Sequence, residues 1–230
     1  MKKIKRVLIG TTVGAVTLVV AIVVIARLVA DLEVRYRSEP FDYWASRLTN
    51  ASPAVQTEAL AVVTQSIVPL LTNQMFADTN DSPVRVALVE QLNSLPWVHL
   101  DFTPNEGRRV QAVEELAGLG PIASPAIPAL LAAVSRPDDV LCGPAANALV
   151  AVGASPEDAV PVLVACLIDP AGRGRPEIVE AVGKYGPKAK AAVPILVKLL
   201  QDRSSKEIVK AVPEALKKVD LEAATRANVR

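Results

Sequence analysis

Residues 192–200 read AVPILVKLL, residues 159–167 read AVPVLVACL, and residues 126–134 read AIPALLAAV. Each stretch is apolar and has a proline in its third place. A proline inside a helix costs roughly 3 kcal/mol. At the first helical position it is well tolerated, because its missing N–H would have no partner there and its φ is already helical. The three stretches therefore predict three helix starts, at Pro128, Pro161 and Pro194. Three Ser-Pro pairs, at 52–53, 82–83 and 155–156, predict further helix starts.

The 33-residue spacing of these prolines is shared by three glycines that lie eight residues upstream of them, namely Gly120, Gly153 and Gly186. The segments that end at these glycines, 108–120, 141–153 and 174–186, carry apolar residues at helical spacing on one face. Glycine ends a helix readily, since it adopts the left-handed conformation at low cost. Such self-similarity predicts stacked units of two helices, the first ending at the glycine and the second starting at the proline.

The same pattern extends over residues 41–219 and is clearest over 108–219. Residues 41–50, 51–63 and 82–92 have the composition of helices, residues 67–76 resemble a second helix with Pro69 near its start, and residues 206–219 supply a last helix. The polar tail at 220–230 is expected to fray.

This pattern resembles the short bacterial HEAT-like repeats, including those of phycobilisome lyases. The resemblance rests on the Ala-Val/Ile-Pro-x-Leu start of second helices, the glycine eight residues before the proline, and Val84-Arg85 at the start of a first helix. It implies an all-α fold, an α-solenoid of stacked antiparallel helix pairs. It also implies a repeated arginine, at Arg85, Arg109 and Arg175, and a repeated aspartate, at Asp169 and Asp202. Cys142 departs from the arginine position and Arg136 from the aspartate position.

The N-terminus predicts a membrane anchor. Four basic residues within positions 1–6 precede an uncharged run of 20 residues, Val7 to Ala26. At about 1.5 Å per residue this run spans a bilayer core of roughly 30 Å. The basic residues keep positions 1–6 in the cytoplasm. We therefore expect a single-pass signal anchor at 7–30 in a bacterial inner membrane, a juxtamembrane linker at 31–40, and an exported, periplasmic repeat domain. A cleaved signal peptide is the alternative, with Leu28-Val29-Ala30 as its cleavage site.

Cys142 and Cys166 lie 11 residues before and 13 residues after Gly153, near the same level of the predicted helix pair. A disulfide between them is possible outside the cytoplasm. Against it, Cys166 is predicted to lie on the helix face opposite Val160, Leu163 and Leu167. The alternative is two small apolar side chains.

Motifs for catalysis are missing from the sequence. GLGPIA (118–123) fits a dinucleotide fingerprint, but it lies between two predicted helices, whereas the fingerprint follows a strand. There is no Walker loop, Gly-x-Ser-x-Gly or His-Glu-x-x-His. His99 is the only histidine. We therefore predict no catalytic, cofactor-binding or metal-binding residue, no small-molecule substrate and no enzymatic activity. Residues 31–170 are acidic and residues 171–230 basic, but the basic part has a single aromatic residue, Tyr185, so nucleic-acid binding is not expected either.

The second helices predict a contact surface. Their core face is expected to hold Val160, Leu163 and Leu167, and in the third repeat Val193, Leu196 and Leu200. The opposite face is unusually apolar for a free surface. We call this face the candidate partner surface and define it by six residues, Ala129, Ala132, Val162, Ala165, Ile195 and Lys198.

In HEAT-like solenoids the second helix lines the concave side, so the resemblance implies a groove for an apolar segment of a partner protein. Neighbouring segments of the chain could instead cover this face. The favoured function is a membrane-tethered protein–protein interaction scaffold. The alternatives are a structural subunit of an envelope complex and a lyase-like accessory factor.

Overall fold

The computed structural model describes residues 35–36, 39–77, 83–94, 104–136, 140–169, 175–201 and 206–228. The predicted membrane anchor at 7–30 lies outside these residues. Within them the chain is mostly helical, which confirms the all-α prediction. A short antiparallel pair of two-residue strands, β1 (Arg35–Tyr36) and β2 (Glu39–Pro40), lies in the predicted juxtamembrane linker.

Twelve α-helices follow in the described residues. They are α1 (Phe41–Asn50), α2 (Pro53–Val62), α3 (Val68–Met75), α4 (Pro83–Asn93), α5 (Asn105–Leu119), α6 (Ile127–Val134), α7 (Cys142–Ala151), α8 (Pro156–Ile168), α9 (Arg175–Tyr185), α10 (Val193–Leu199), α11 (Lys206–Val219) and α12 (Leu221–Arg226). A π-helical turn (Val63–Ile67) joins α2 to α3. Two 3-10 helices, Gly120–Ala126 and Gly186–Ala192, join α5 to α6 and α9 to α10.

The chain divides into two compact units. One comprises residues 1–33 and 78–105, of which α4 is the described helix, and the other comprises residues 34–77 and 106–230. In the larger unit α7 packs against α6 and α9, and α9 packs against α11. The core of this unit is built almost wholly from Ala, Val, Leu and Ile. The helices approach closely, since a Cβ added at Gly183 of α9 would lie 3.1 Å from the Cα of Ala215 in α11.

The glycine stops are confirmed. Gly120, Gly153 and Gly186 have φ of 57°, 78° and 57°, a left-handed conformation that favours glycine. Two of the three proline starts are also confirmed, because Pro128 and Pro194 lie in the first turns of α6 and α10.

The third start is wrong. Helix α8 begins at Pro156, so Pro161 lies inside it. The cause is a competing signal five residues upstream. The Ser155 side chain accepts a hydrogen bond from the backbone N–H of Asp158 at 3.2 Å, and Pro156 occupies the first helical turn.

The expected fraying after residue 219 is also wrong for most of the tail. The Asp220 side chain accepts a hydrogen bond from the Ala223 N–H at 2.9 Å and begins α12, whose Ala223 and Ala224 are buried. The same hydrogen bond is the main cause that lowers the pKa of Asp220. A capping carboxylate and two small buried side chains are thus enough to keep this polar segment helical.

Two helical stretches in the described residues, Pro53–Met75 and Asn105–Val134, are long and apolar enough to cross a membrane by length and composition alone. Both also contribute to the core of the larger unit, for example through Leu71 and Leu116, which are fully buried. Core helices pass the same test as membrane spans, so this is weak evidence for membrane association. In the longer stretch the left-handed Gly120 ends one α-helix before the next begins.

Candidate functional site

The candidate partner surface is accessible to solvent at all six of its positions. The residues that directly follow the repeated prolines, Ala129, Val162 and Ile195, are half-buried. The residues three positions further on, Ala132, Ala165 and Lys198, are exposed. Helix α8 contacts both α6 and α10 within the larger unit, so the six residues belong to neighbouring helices.

A groove of about 390 Å³ opens beside α8 and coincides with part of this surface. Val162 and Ala165 line one wall, and Val134 and Ser135, at the end of α6, line another. Asp169, half-buried at the C-terminus of α8, adds a carboxylate. The groove thus has a mainly apolar lining with one acidic end, which suits an apolar segment better than a polar metabolite.

A further row of apolar residues was missed by the sequence reasoning. Leu131 and Val164 are half-buried, and Val197 is 36% exposed. These residues lie 33 positions apart, so the repeat itself carried the signal. The second helices are therefore apolar around more of their circumference than the predicted division into a core face and an opposite face suggested.

The predicted core face needs two corrections. Cys166 is only 5% exposed and lies in the core with Leu163 and Leu167. Residues three apart on a helix are neighbours, so Cys166 belongs on the side of Leu163 and not opposite it. In α10 the buried residues are Leu196 and Leu199, whereas Val193 and Leu200 are half-buried and pack against the edge of the core.

Among the predicted arginine and aspartate positions, Arg109 has the clearest role. Its side chain is 4% exposed, and its Nε donates a hydrogen bond to the carbonyl oxygen of Met75 at 2.7 Å. Met75 is the last residue of α3, whose final carbonyls have no partner within the helix. Arg109 thus joins the start of α5 to the end of α3. The side chains of Arg85 and Arg175, and the whole of Asp202, lie outside what the structure describes, so a ladder of such contacts stays a prediction.

Cys142 occupies the repeat position of Arg109 and makes an equivalent contact. Its Sγ donates to the carbonyl oxygen of Val134 at 3.4 Å. Val134 ends α6 and lies six residues after Pro128, as Met75 lies six residues after Pro69. The residue at this position therefore serves the last carbonyl of the preceding second helix, whether through a guanidinium or through a thiol.

The two cysteines lie side by side in the core. Cys142 is completely buried, Cys166 is among the residues that line the groove beside α8, and their Sγ atoms are 3.0 Å apart. The prediction that they lie near the same level of the helix pair is confirmed, whereas the predicted outward placement of Cys166 is wrong.

A larger groove of about 550 Å³ lies between α9 and α11. Glutamates and lysines alternate along its walls, with Glu180, Lys184, Glu214 and Lys218 among them. Such mixed charge at a solvent-open surface is typical of a solvated helix face, so the groove beside α8 is the stronger candidate site.

Tyr185, at the end of α9, has a strongly perturbed pKa. Burial raises the pKa of its hydroxyl to about 12. Within the described part of the chain, its Oη has no hydrogen-bond partner. The raised pKa therefore reflects the burial of the Tyr185 hydroxyl, which stays protonated at physiological pH.

No protein-family model and no curated protein matches this sequence.

Proposed function

We propose that this chain is a membrane-tethered scaffold that binds a partner protein through the candidate partner surface of a HEAT-like α-solenoid and performs no catalysis of its own. One observation carries the proposal. Ala129, Val162 and Ile195 recur every 33 residues, remain accessible, and lie on helices that contact one another in sequence. Monomeric soluble proteins rarely expose large contiguous apolar patches, so a partly open apolar row of this kind favours a contact surface.

The lining of the site favours an apolar partner segment. Val162 and Ile195 offer branched apolar side chains, while Ala132 and Ala165 leave room for a segment to approach the helices closely. Lys198, exposed at one edge of the surface, would favour a partner with an acidic residue at the corresponding end. An amphipathic helix that lays its apolar face into a groove meets these requirements.

The proposed location follows from the uncharged run at 7–30. A span inserted with its basic end in the cytoplasm places residues 31–230 in the periplasm. A tethered scaffold would then meet its partner in the envelope. If the partner is also attached to the membrane, the tether raises the effective concentration of the partner at the binding surface.

The test compares two variants within the surface and one outside it. Val162→Asp and Ala165→Arg alter the candidate partner surface at the groove. The control is Val209→Asp, which alters a valine of α11 that is 47% exposed and lies outside this surface. The full-length protein is recovered from detergent-solubilised membranes, its helix content is checked by circular dichroism, and co-purified proteins are compared. Both surface variants are expected to lose a partner that wild type and Val209→Asp retain. Equal recovery by all four folded proteins would contradict the proposal.

A structural subunit of an envelope complex is the second candidate. The additional apolar row at Leu131, Val164 and Val197 favours it, since a face this broad is typical of a permanently covered surface. Native mass measurement of detergent extracts separates the two candidates. A single stable assembly indicates a subunit, whereas a mostly monomeric chain that releases its partner indicates a scaffold.

A further inference from the structure

We propose that Cys142 and Cys166 form an intramolecular disulfide when the protein meets a disulfide oxidant. Their Sγ atoms are 3.0 Å apart, and a disulfide requires about 2.05 Å. The remaining gap of about 1 Å is within the reach of small χ1 rotations. Since both side chains are held in the packed core, neither helix has to move far for the bond to form.

The pair is a local departure from the repeat. At the position of Cys142 the neighbouring repeats carry Arg109 and Arg175, and at the position of Cys166 they carry Ala133 and Leu199. The chain contains only these two cysteines. The two cysteines therefore occur in one repeat only, at two positions whose side chains face each other.

The groove beside α8 gives an oxidant access to one of the two sulfurs. Cys166 lines the groove, whereas Cys142 is 0% exposed. Cys166, deprotonated to its thiolate, attacks one sulfur of the oxidant's disulfide and releases the other as a thiolate. Cys142, after losing its own proton, attacks the Sγ of Cys166 and releases the second thiolate of the oxidant. Two protein thiols thus lose two protons and two electrons, and the oxidant takes up both electrons as its disulfide becomes two thiols.

The bond would join the start of α7 to the last turn of α8 across a 24-residue separation. Closing a loop of this length restricts the unfolded chain, and a shift of roughly 5–10 °C in Tm is expected for a domain of this size. The cross-link would also fix the wall of the groove that contains Val162 and Ala165.

The test uses the full-length protein in detergent with glutathione as the oxidant. After incubation with oxidised glutathione, unfolding and treatment with a large maleimide, wild type is expected to carry no maleimide and to melt about 5–10 °C above its dithiothreitol-reduced form. Two maleimides per chain after oxidation would overturn the proposal, as would identical melting of the two forms.

Two single variants test the order of attack. Cys142→Ala keeps the sulfur at the groove and is expected to retain glutathione as a mixed disulfide while folded. Cys166→Ala keeps only the enclosed sulfur and is expected to remain unmodified until it is unfolded. Mass spectrometry of the intact chain reads both results. Glutathione on folded Cys166→Ala but not on Cys142→Ala would overturn the assigned order.

Discussion

Arg109→Met tests the contact that joins α5 to α3. Methionine is shorter than arginine but keeps an unbranched apolar stem, and it removes the charge and all the donors. The Met75 carbonyl would then lose a 2.7 Å hydrogen bond from a guanidinium that is only 4% exposed. A hydrogen bond to a charged group is worth about 1.5–3 kcal/mol. The buried methionine recovers part of this loss through packing, so we expect a net cost of about 2 kcal/mol.

Thermal unfolding of the full-length protein in detergent, followed by circular dichroism, measures the effect. A cost of about 2 kcal/mol corresponds to a fall in Tm of roughly 4–8 °C for a domain of this size. Arg108→Met is the matched control, because it makes the same change at the neighbouring residue, which is only half-buried. Its cost should stay below about 1 kcal/mol. Equal melting of the two variants would show that the buried contact with Met75 contributes no special stability, and the role assigned to Arg109 would be refuted.

Two further predictions concern Tyr185 and the glycine stops. Tyr185→Phe removes a buried hydroxyl without a partner in the described residues and should raise the free energy of unfolding by about 1 kcal/mol. Burial raises the pKa of Tyr185 from 10.0 in the unfolded chain to about 12 in the folded chain. Ionisation of this hydroxyl therefore leaves the free energy of unfolding unchanged below pH 10 and lowers it as pH rises from 10 towards 12. Tyr185→Phe should lack this alkaline decline in denaturant unfolding, and an unchanged decline would contradict the assignment. Gly120→Ala should cost about 1–2 kcal/mol in the same assay, because φ there is 57°. Gly118→Ala, in the last turn of α5 with open space around its Cβ, should instead stabilise by about 0.5 kcal/mol. Changes of the same sign at both glycines would contradict the left-handed stop.

The helix boundaries set by local signals could be predicted from the sequence. A left-handed glycine and a proline in the first helical turn act through their own backbone, so Gly120 and Pro128 need no knowledge of the rest of the chain. Ser155-Pro156 and Pro161 are both start signals in the sequence, and the helix begins at the earlier one and accommodates Pro161 in its second turn. The tail was misread because polarity was weighed above the capping capacity of Asp220.

Part of the candidate site could also be predicted from the sequence, and part could not. The 33-residue period correctly placed Val162 and Ile195 on an accessible part of their helices. It could not show that the groove beside α8 reaches Cys166, because the shape of a groove depends on packing between helices that no single segment encodes. Cys142 stands where the resemblance predicts an arginine, and the structure shows that the contact of this position is kept with a different atom type.

The contacts of Arg109 and Cys142 have a consequence for how this chain can vary in length. Arg109 reaches a helix end that is 34 residues earlier in the sequence, and Cys142 reaches the equivalent helix end only eight residues earlier. The junction between a second helix and the first helix that contacts its end is therefore defined in space and not by the number of residues that connect them. Loop-closure entropy grows only slowly with loop length, so long segments are tolerated at such a point. We therefore expect an epitope tag inserted directly after the exposed Arg136 to be tolerated, whereas an insertion next to the buried Leu141 should disturb α7.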